Sequence, residues 1–166
     1  MDIEKLTIEE ILGLAARTEI QGRKFYSELS KQVKHPEVKK KLESLAADEE
    51  RHEAIVRELY KQTVGEELVN IPEKGVPDIV GAIKDMNPNE RTQLIEFIDM
   101  AIEAERIAAA FYGRGAKLTK DEASRKIFEE MEAEEDGHYN MLVAEKSALA
   151  GDDYWFDIGG AGMMEE

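Results

Sequence analysis

Two glutamate–histidine pairs, Glu49 with His52 and Glu135 with His138, stand three residues apart, and each follows a lone glutamate, Glu19 or Glu105, by 30 positions. Residues three apart share one face of a helix, so the carboxylate and the imidazole of each pair can reach one point. Carboxylates and neutral imidazoles together suit divalent transition metals. Two such ions would balance four carboxylates and use both imidazoles as uncharged ligands. The expected metal ligands are Glu19, Glu49, His52, Glu105, Glu135 and His138.

A single Glu-x-x-His means little in a chain with 36% charged residues. The neighbours of these two copies give them weight. In the first half, Ile8, Leu12, Ala15, Glu19, Gly22, Tyr26 and Leu29 recur at alternating steps of four and three. In the next segment the stripe is Val38, Leu42, Leu45, Glu49, His52, Val56 and Leu59. These are seam positions of packed helices, where apolar residues are expected. Burying four carboxylates together is strongly unfavourable through desolvation and repulsion unless cations compensate.

The elements that must position these residues are four long helices. Thr7-Ile8-Glu9-Glu10 is a capping box for a helix running to about Lys34. His35-Pro36 restarts the chain, with the proline at the favoured first helical position, and Gly65 ends the second helix. Asn87-Pro88-Asn89-Glu90 opens a third, ending between Gly115 and Leu118, and Thr119-Lys120-Asp121-Glu122 reads as a second capping box before a fourth that reaches Ala150. Each is about 26 to 32 residues, or ~40–48 Å. Residues 66–86, with Pro72, Pro77, Gly75 and Gly81, read as a crossover between two helical hairpins. The domain is therefore expected over residues 1–150, with 151–166 as an irregular tail whose Tyr154, Trp155 and Phe156 call for docking on the bundle or a partner.

The halves repeat at an offset of 86. Ile8, Leu12, Ala15, Glu19, Gly22, Phe25 and Tyr26 become Leu94, Ile98, Ala101, Glu105, Ala108, Phe111 and Tyr112. Leu42, Leu45, Glu49 and His52 become Phe128, Met131, Glu135 and His138. Such self-similarity describes a duplicated hairpin with a pseudo-twofold axis. Each of the four glutamates lies ~20 Å from its hairpin turn, so all four share one layer. His35 has Asp121 as its repeat mate and is assigned to a helix cap instead.

Composition excludes several classes. The chain has no cysteine, so disulfides and thiolate-bound metal centres are ruled out. The net charge of −15, from 37 acidic and 22 basic residues, disfavours nucleic acid and anionic membranes. No apolar run is long enough to span a bilayer, and the start Met1-Asp2-Ile3-Glu4-Lys5 lacks the pattern of a signal peptide. A cytoplasmic location is expected.

Glu19-Ile-Gln-Gly-Arg-Lys-Phe25-Tyr26, Asp48-Glu49-Glu50-Arg51-His52, Glu105-Arg-Ile-Ala-Ala-Ala-Phe111-Tyr112 and Glu135-Asp-Gly-His138 resemble the rubrerythrin-like branch of the ferritin-like superfamily. The resemblance covers residues 7 to 150. It implies an all-α fold, a left-handed four-helix bundle with a long crossover between helices 2 and 3, and a site for two iron ions, open to manganese or zinc substitution. It further implies that Glu49 and Glu135 bridge the metals, that Glu19 and Glu105 are terminal ligands, and that His52 and His138 each serve one ion. The implied activities are peroxide reduction and ferrous iron oxidation. Two features depart from the pattern. Rubrerythrins proper carry a cysteine-bound rubredoxin-like domain, so here electrons must come from a separate donor such as a rubredoxin-like protein. They also place an extra glutamate one turn beyond the third-helix ligand, where this chain has Ala108. The symmetric six-residue set is closer to bacterioferritin-type and designed di-iron bundles.

Around the ligands, Tyr26 and Tyr112 are expected either to hydrogen-bond them, supplying a proton or an electron, or to fill the core. Asp48 and Glu134 precede the bridging glutamates, where an acid holds the opposite histidine's other nitrogen in designed di-iron bundles; here they either do the same or are simply solvated. Gly22 and Ala108 either leave room for a small reactant or allow close packing. The leading expectation is an oxidoreductase acting on peroxide or dioxygen, working as a homodimer; the alternative is iron oxidation for storage or delivery. A bundle with vestigial sites is disfavoured because all six ligands survive in both halves.

Overall fold

The computed structural model describes residues 5–75 and 90–151. They form four helices, α1 (Ile8–Gln32), α2 (Pro36–Val64), α3 (Arg91–Leu118) and α4 (Glu122–Ala150). The Thr7 box opens α1: Thr7 Oγ1 accepts from Glu10 N–H and Glu10 Oε2 from Thr7 N–H. Pro36 starts α2 after an extended Val33, and α2 ends on Gly65 at φ 89°, a left-handed conformation that only glycine adopts without strain. Residues 87–89 of the expected third start lie outside the described residues, as do 76–86 of the crossover and 152–166 of the tail.

One cap differs from expectation. Thr119 does not start α4; it closes α3, with both its N–H and its hydroxyl donating to Gly115 O. The helix begins two residues later on Asp121, whose carboxylate accepts from the N–H and hydroxyl of Ser124. With α3 running to Leu118, the chain needs those residues to reverse, and aspartate is the stronger N-cap.

Helices α1 and α2 pack along each other, as do α3 and α4, giving two hairpins. Side chains join them: Phe25 of α1 meets Phe97 of α3 edge-on at 6.4 Å, and Lys41 of α2 pairs with buried Glu145 of α4. The apolar interior is divided in two. One cluster gathers Leu12, Val56, Leu59, Tyr112, Phe128 and Met131; the other gathers Tyr26, Leu29, Leu42, Leu45, Ile98 and Leu142. All four helices contribute to each. Between them lies the layer of Glu19, Glu49, His52, Glu105, Glu135 and His138, all buried as their stripe positions require.

The buried face of α1 is wider than its stripe, because residues 68–75 fold back over it. Leu68 is buried against the first cluster, Arg57 donates to Leu68 O, a Cβ on Gly13 would touch Pro72, and Gly75 N–H donates to Gln21 Oε1 at 3.1 Å. No helix among the described residues is long and apolar enough to cross a membrane.

Two glycines make a stability test. Gly65→Ala places a side chain at positive φ and is expected to cost about 1 kcal/mol. Gly137→Ala, mid-helix with open space around a new Cβ, is expected to gain about 0.5–1 kcal/mol. Urea denaturation of the metal-free protein measures both; equal shifts of the same sign would contradict the assigned backbone.

Candidate metal centre

The centre is assembled from one layer of each helix: Glu19 from α1, Glu49 and His52 from α2, Glu105 from α3, Glu135 and His138 from α4. All six sequence-assigned ligands meet. Their donor atoms fall into two groups, Glu19, Glu49, His52, Glu135 and Glu49, Glu105, Glu135, His138, each with ligand atoms within 4.8 Å of one another and able to hold a metal ion. Glu49 and Glu135 belong to both. The two imidazole rings stack with centroids 5.7 Å apart.

Several donors face inward with nothing aligned to receive them. His52 Nδ1 lies 2.9 Å from Glu135 Oε1 and 3.5 Å from Glu19 Oε2, yet all three atoms are buried without a hydrogen bond. Buried polar atoms are nearly always paired. Three buried atoms this close together, none with a hydrogen bond of good geometry, are placed as ligands of one cation would be.

The outer contacts cross between the halves. Tyr26 on α1 donates to Glu105 on α3, and Tyr112 on α3 donates to Glu19 on α1. Burial raises both phenols well above their usual range, with Glu105 adding to the effect at Tyr26 and Glu19 at Tyr112. Both therefore remain donors. On the α2–α4 side, His52 Nε2 meets Glu134 Oε2 at 2.9 Å and His138 Nε2 faces Asp48 Oδ2 at 3.5 Å. Each acid thus faces the opposite histidine, the first of the two alternatives left open for them. Both alternatives left open for the tyrosines are observed together: each hydroxyl donates to a glutamate and each ring packs in an apolar cluster.

Without a metal, protons must neutralise this layer. Burial, followed by the charge of Glu19, raises Glu49 well above the carboxylate range. Burial raises Glu105 to about 8 against the opposing effect of His138. Burial disfavours charging the imidazoles, but the facing carboxylates prevail and lift His52 to about 11 and His138 to about 10. The same imidazoles hold Glu135 down to about 2 although burial pushes it up.

Gly22 is small for a definite reason: a Cβ there would stand 3.1 Å from the Glu49 carboxyl carbon. Beside it, between α1 and α3, a cavity of about 20 Å³ is lined by Thr18, Gln21, Gly22, Ala104 and Ala108 together with the glutamates. That volume accommodates about one water-sized molecule. On the opposite side, between α2 and α4, a groove of about 480 Å³ runs over Ile55, Leu59, Ile127 and Met131 beside Arg51 and Glu134.

Sequence reasoning gave Arg51 no role, yet its guanidinium binds both acids that face the histidines: Asp48 at 3.1 Å, and Glu134 through two nitrogens. The available signal was its spacing from Asp48 and a break in the repeat, where its mate is Gly137. Thr18 and Gln21 in the cavity wall were also missed. So was buried Glu145, which occupies the stripe position of Leu59 in the other half.

Comparison with known proteins agrees with this geometry. The rubrerythrin family model matches residues 10–146. Among solved structures, a hypothetical protein from Pyrococcus furiosus superposes with a TM-score of 0.82 at 31% identity, covering 90% of this chain and 94% of that one. No curated protein matches the chain. Four helices carrying a buried glutamate–histidine layer, together with a family match along nearly the whole bundle, establish that the chain belongs to the rubrerythrin family.

Proposed function

We propose that this chain is a non-haem di-iron oxidoreductase that reduces peroxide or dioxygen with electrons from a separate donor protein. The carrying observation is the pair of overlapping four-residue groups. Sharing Glu49 and Glu135 supports a bridging role for these two, while Glu19 with His52 and Glu105 with His138 would each complete one end. Four carboxylates balance two divalent ions, and the buried unpaired atoms of Glu19, His52 and Glu135 fit that role. Manganese or zinc would fit the same donors. A bound ferrous pair would supply two electrons, the number that cleavage of a peroxide bond consumes.

The surrounding residues set the conditions for that chemistry. Tyr26 and Tyr112 hold protons on Glu105 Oε1 and Glu19 Oε1, which fixes the rotamers of the terminal carboxylates. Glu134 orients the His52 imidazole from behind, and Asp48 stands behind His138 at the longer distance of 3.5 Å. Gly22 and Ala108 leave the cavity through which a molecule of two non-hydrogen atoms, peroxide or dioxygen, would approach. The apolar clusters on either side exclude bulk water. Because the chain contains no cysteine, no thiolate-bound relay within it can return electrons.

One observation favours a second reading. Ala108, beside Glu105 in the cavity wall, offers no further carboxylate, so the ligand set stays symmetric. A symmetric set suits repeated oxidation of ferrous iron for storage or delivery.

Anaerobic reconstitution with ferrous iron is expected to give two ions per chain by elemental analysis. Glu49→Ala should lose at least one. Glu53→Ala should lose none, since Glu53 lies off the inward stripe and pairs with Arg23 and Arg57. Equal loss in both variants would mean that the inward face is misassigned.

Metal must also displace the protons on His52, His138, Glu49 and Glu105. Their raised pKa values make these groups proton-bearing at neutral pH, so affinity falls as pH falls. Between pH 6 and 8 the logarithm of zinc affinity should climb by more than about one unit per pH unit. Calorimetry in buffers of different ionisation enthalpy should register the released protons; pH-independent binding would contradict the protonated layer.

The two functional readings separate in one mixing experiment. Reduced, iron-loaded protein given stoichiometric peroxide should oxidise once and stop. A reduced rubredoxin-like donor should then restart turnover if the protein is a peroxidase. Excess ferrous iron should instead be oxidised and retained beyond two ions per chain if it handles iron. Failure of peroxide to oxidise the reduced centre within minutes would overturn the oxidoreductase reading altogether.

A further inference from the structure

The two halves of the centre are not equivalent, and the difference traces to one break in the repeat. Arg51 precedes His52 on α2; the mate of that position on α4, before His138, is Gly137, where a Cβ would meet nothing within 4 Å. The single guanidinium therefore acts from the α2 side. It grips both oxygens of Glu134, and Glu134 in turn lies 2.9 Å from His52 Nε2. This three-member chain fixes the His52 ring, whose side chain is 0% exposed. With Nε2–H committed to Glu134, Nδ1 is the nitrogen that can turn its lone pair to an interior ion once its own proton is displaced.

His138 has a looser hold. Its Nε2 stands 3.5 Å from Asp48 Oδ2, beyond a normal hydrogen bond, while the other Asp48 oxygen is engaged by Arg51. Its Nδ1 is already paired with Glu135 Oε2 at 3.1 Å, and its side chain is 10% exposed. Within the centre, the buried atoms without a hydrogen bond, Glu19 Oε2, His52 Nδ1 and Glu135 Oε1, all belong to the first group and none is private to the second. Donors already aimed inward need no rearrangement to receive an ion. Arg51 also draws charge from Glu134 and so weakens its pull on His52, but a half-exposed guanidinium acts through water and that effect is small.

We infer that Arg51 is a positioning residue that makes the Glu19–His52 end of the centre the tighter, first-filled metal site and leaves the Glu105–His138 end as the site through which the second ion enters and leaves. The inference rests on the di-metal reading above and goes beyond it by ordering the two sites. The pseudo-twofold axis supplies a direct test. Moving the arginine across it, in the double variant Arg51→Gly with Gly137→Arg, lets the new side chain approach the same two acids from α4. The exchange keeps composition and charge constant, and one glycine replaces another within helices.

Metal-free protein labelled with ¹⁵N-histidine is titrated with zinc, and the two imidazoles, assigned through His→Gln variants, are followed by NMR. In the native chain the first equivalent should perturb His52 and the second His138, with affinities separated ~10-fold or more. In the exchanged variant the order should reverse. Arg51→Lys should narrow the gap without reversing it, because an ammonium cannot engage both oxygens of Glu134 in a planar fork. Simultaneous response of both histidines in the native chain, or an unchanged order after the exchange, overturns the inference while leaving two zinc ions per chain. Binding of fewer than two overturns the di-metal reading and the inference with it. Circular dichroism matching the native spectrum confirms that each variant is folded.

Discussion

Four glutamates and two histidines at the middle of an otherwise apolar bundle set the terms for everything around them. Carboxylates in such a place repel one another and lose their hydration, a combined penalty that packing alone cannot offset. The layer must therefore carry positive charge, either as protons or as metal ions. The elevated Glu49 and Glu105, the charged imidazoles and the depressed Glu135 describe the proton-compensated form. The uncommitted atoms of Glu19, His52 and Glu135 describe what that form leaves undone. Stability of the bundle and chemistry of the site are consequently the same problem, because whatever neutralises the layer also holds the helices together.

Duplication solves the geometric part. Two hairpins related by a pseudo-twofold axis bring each residue of the layer opposite its mate, so one local pattern is used twice. The reciprocal tyrosine contacts, Tyr26 with Glu105 and Tyr112 with Glu19, follow from this: each half supplies the hydrogen bond that the other half's glutamate needs. Symmetry fails where the chain has to serve another purpose. Residues 68–75 cover α1, Glu145 takes a leucine position to pair with Lys41, and Arg51 has a glycine as its repeat mate.

Much of this was legible in sequence, for physical reasons. Polar residues on an apolar stripe at heptad-like spacing are costly unless functional, so Glu19, Glu49 and His52 announced themselves, and the 86-residue offset found their mates. Capping chemistry located the starts of α1 and α2 and the stop of α2. It failed at Thr119, because a capping-box pattern does not reveal that the preceding helix still occupies the threonine. Arg51 was invisible for a different reason. An arginine on an exposed face usually does nothing particular, and its importance depends on two acids from different helices converging under it. The wider buried face of α1 likewise depends on a segment whose path no periodicity encodes, and Glu145 became intelligible only once Lys41 was found beside it.

The division of the apolar interior into two clusters has a bearing on traffic. Leu12, Phe128 and Met131 fill the bundle at one end of the layer, and Leu29, Leu42 and Ile98 at the other. Movement along the bundle axis is thereby blocked in both directions, and what reaches the centre must pass sideways between helices. The two flanks offer different doors. The α1–α3 side presents Thr18, Gln21, Gly22, Ala104 and Ala108, together with the glutamates of the layer, around a space for a single small molecule. The α2–α4 side presents imidazoles backed by Asp48, Glu134 and Arg51. The same two plugs that stabilise the fold therefore leave only these gaps between helices as ways in, one a space for a single small molecule and the other a wider groove beside Arg51 and Glu134.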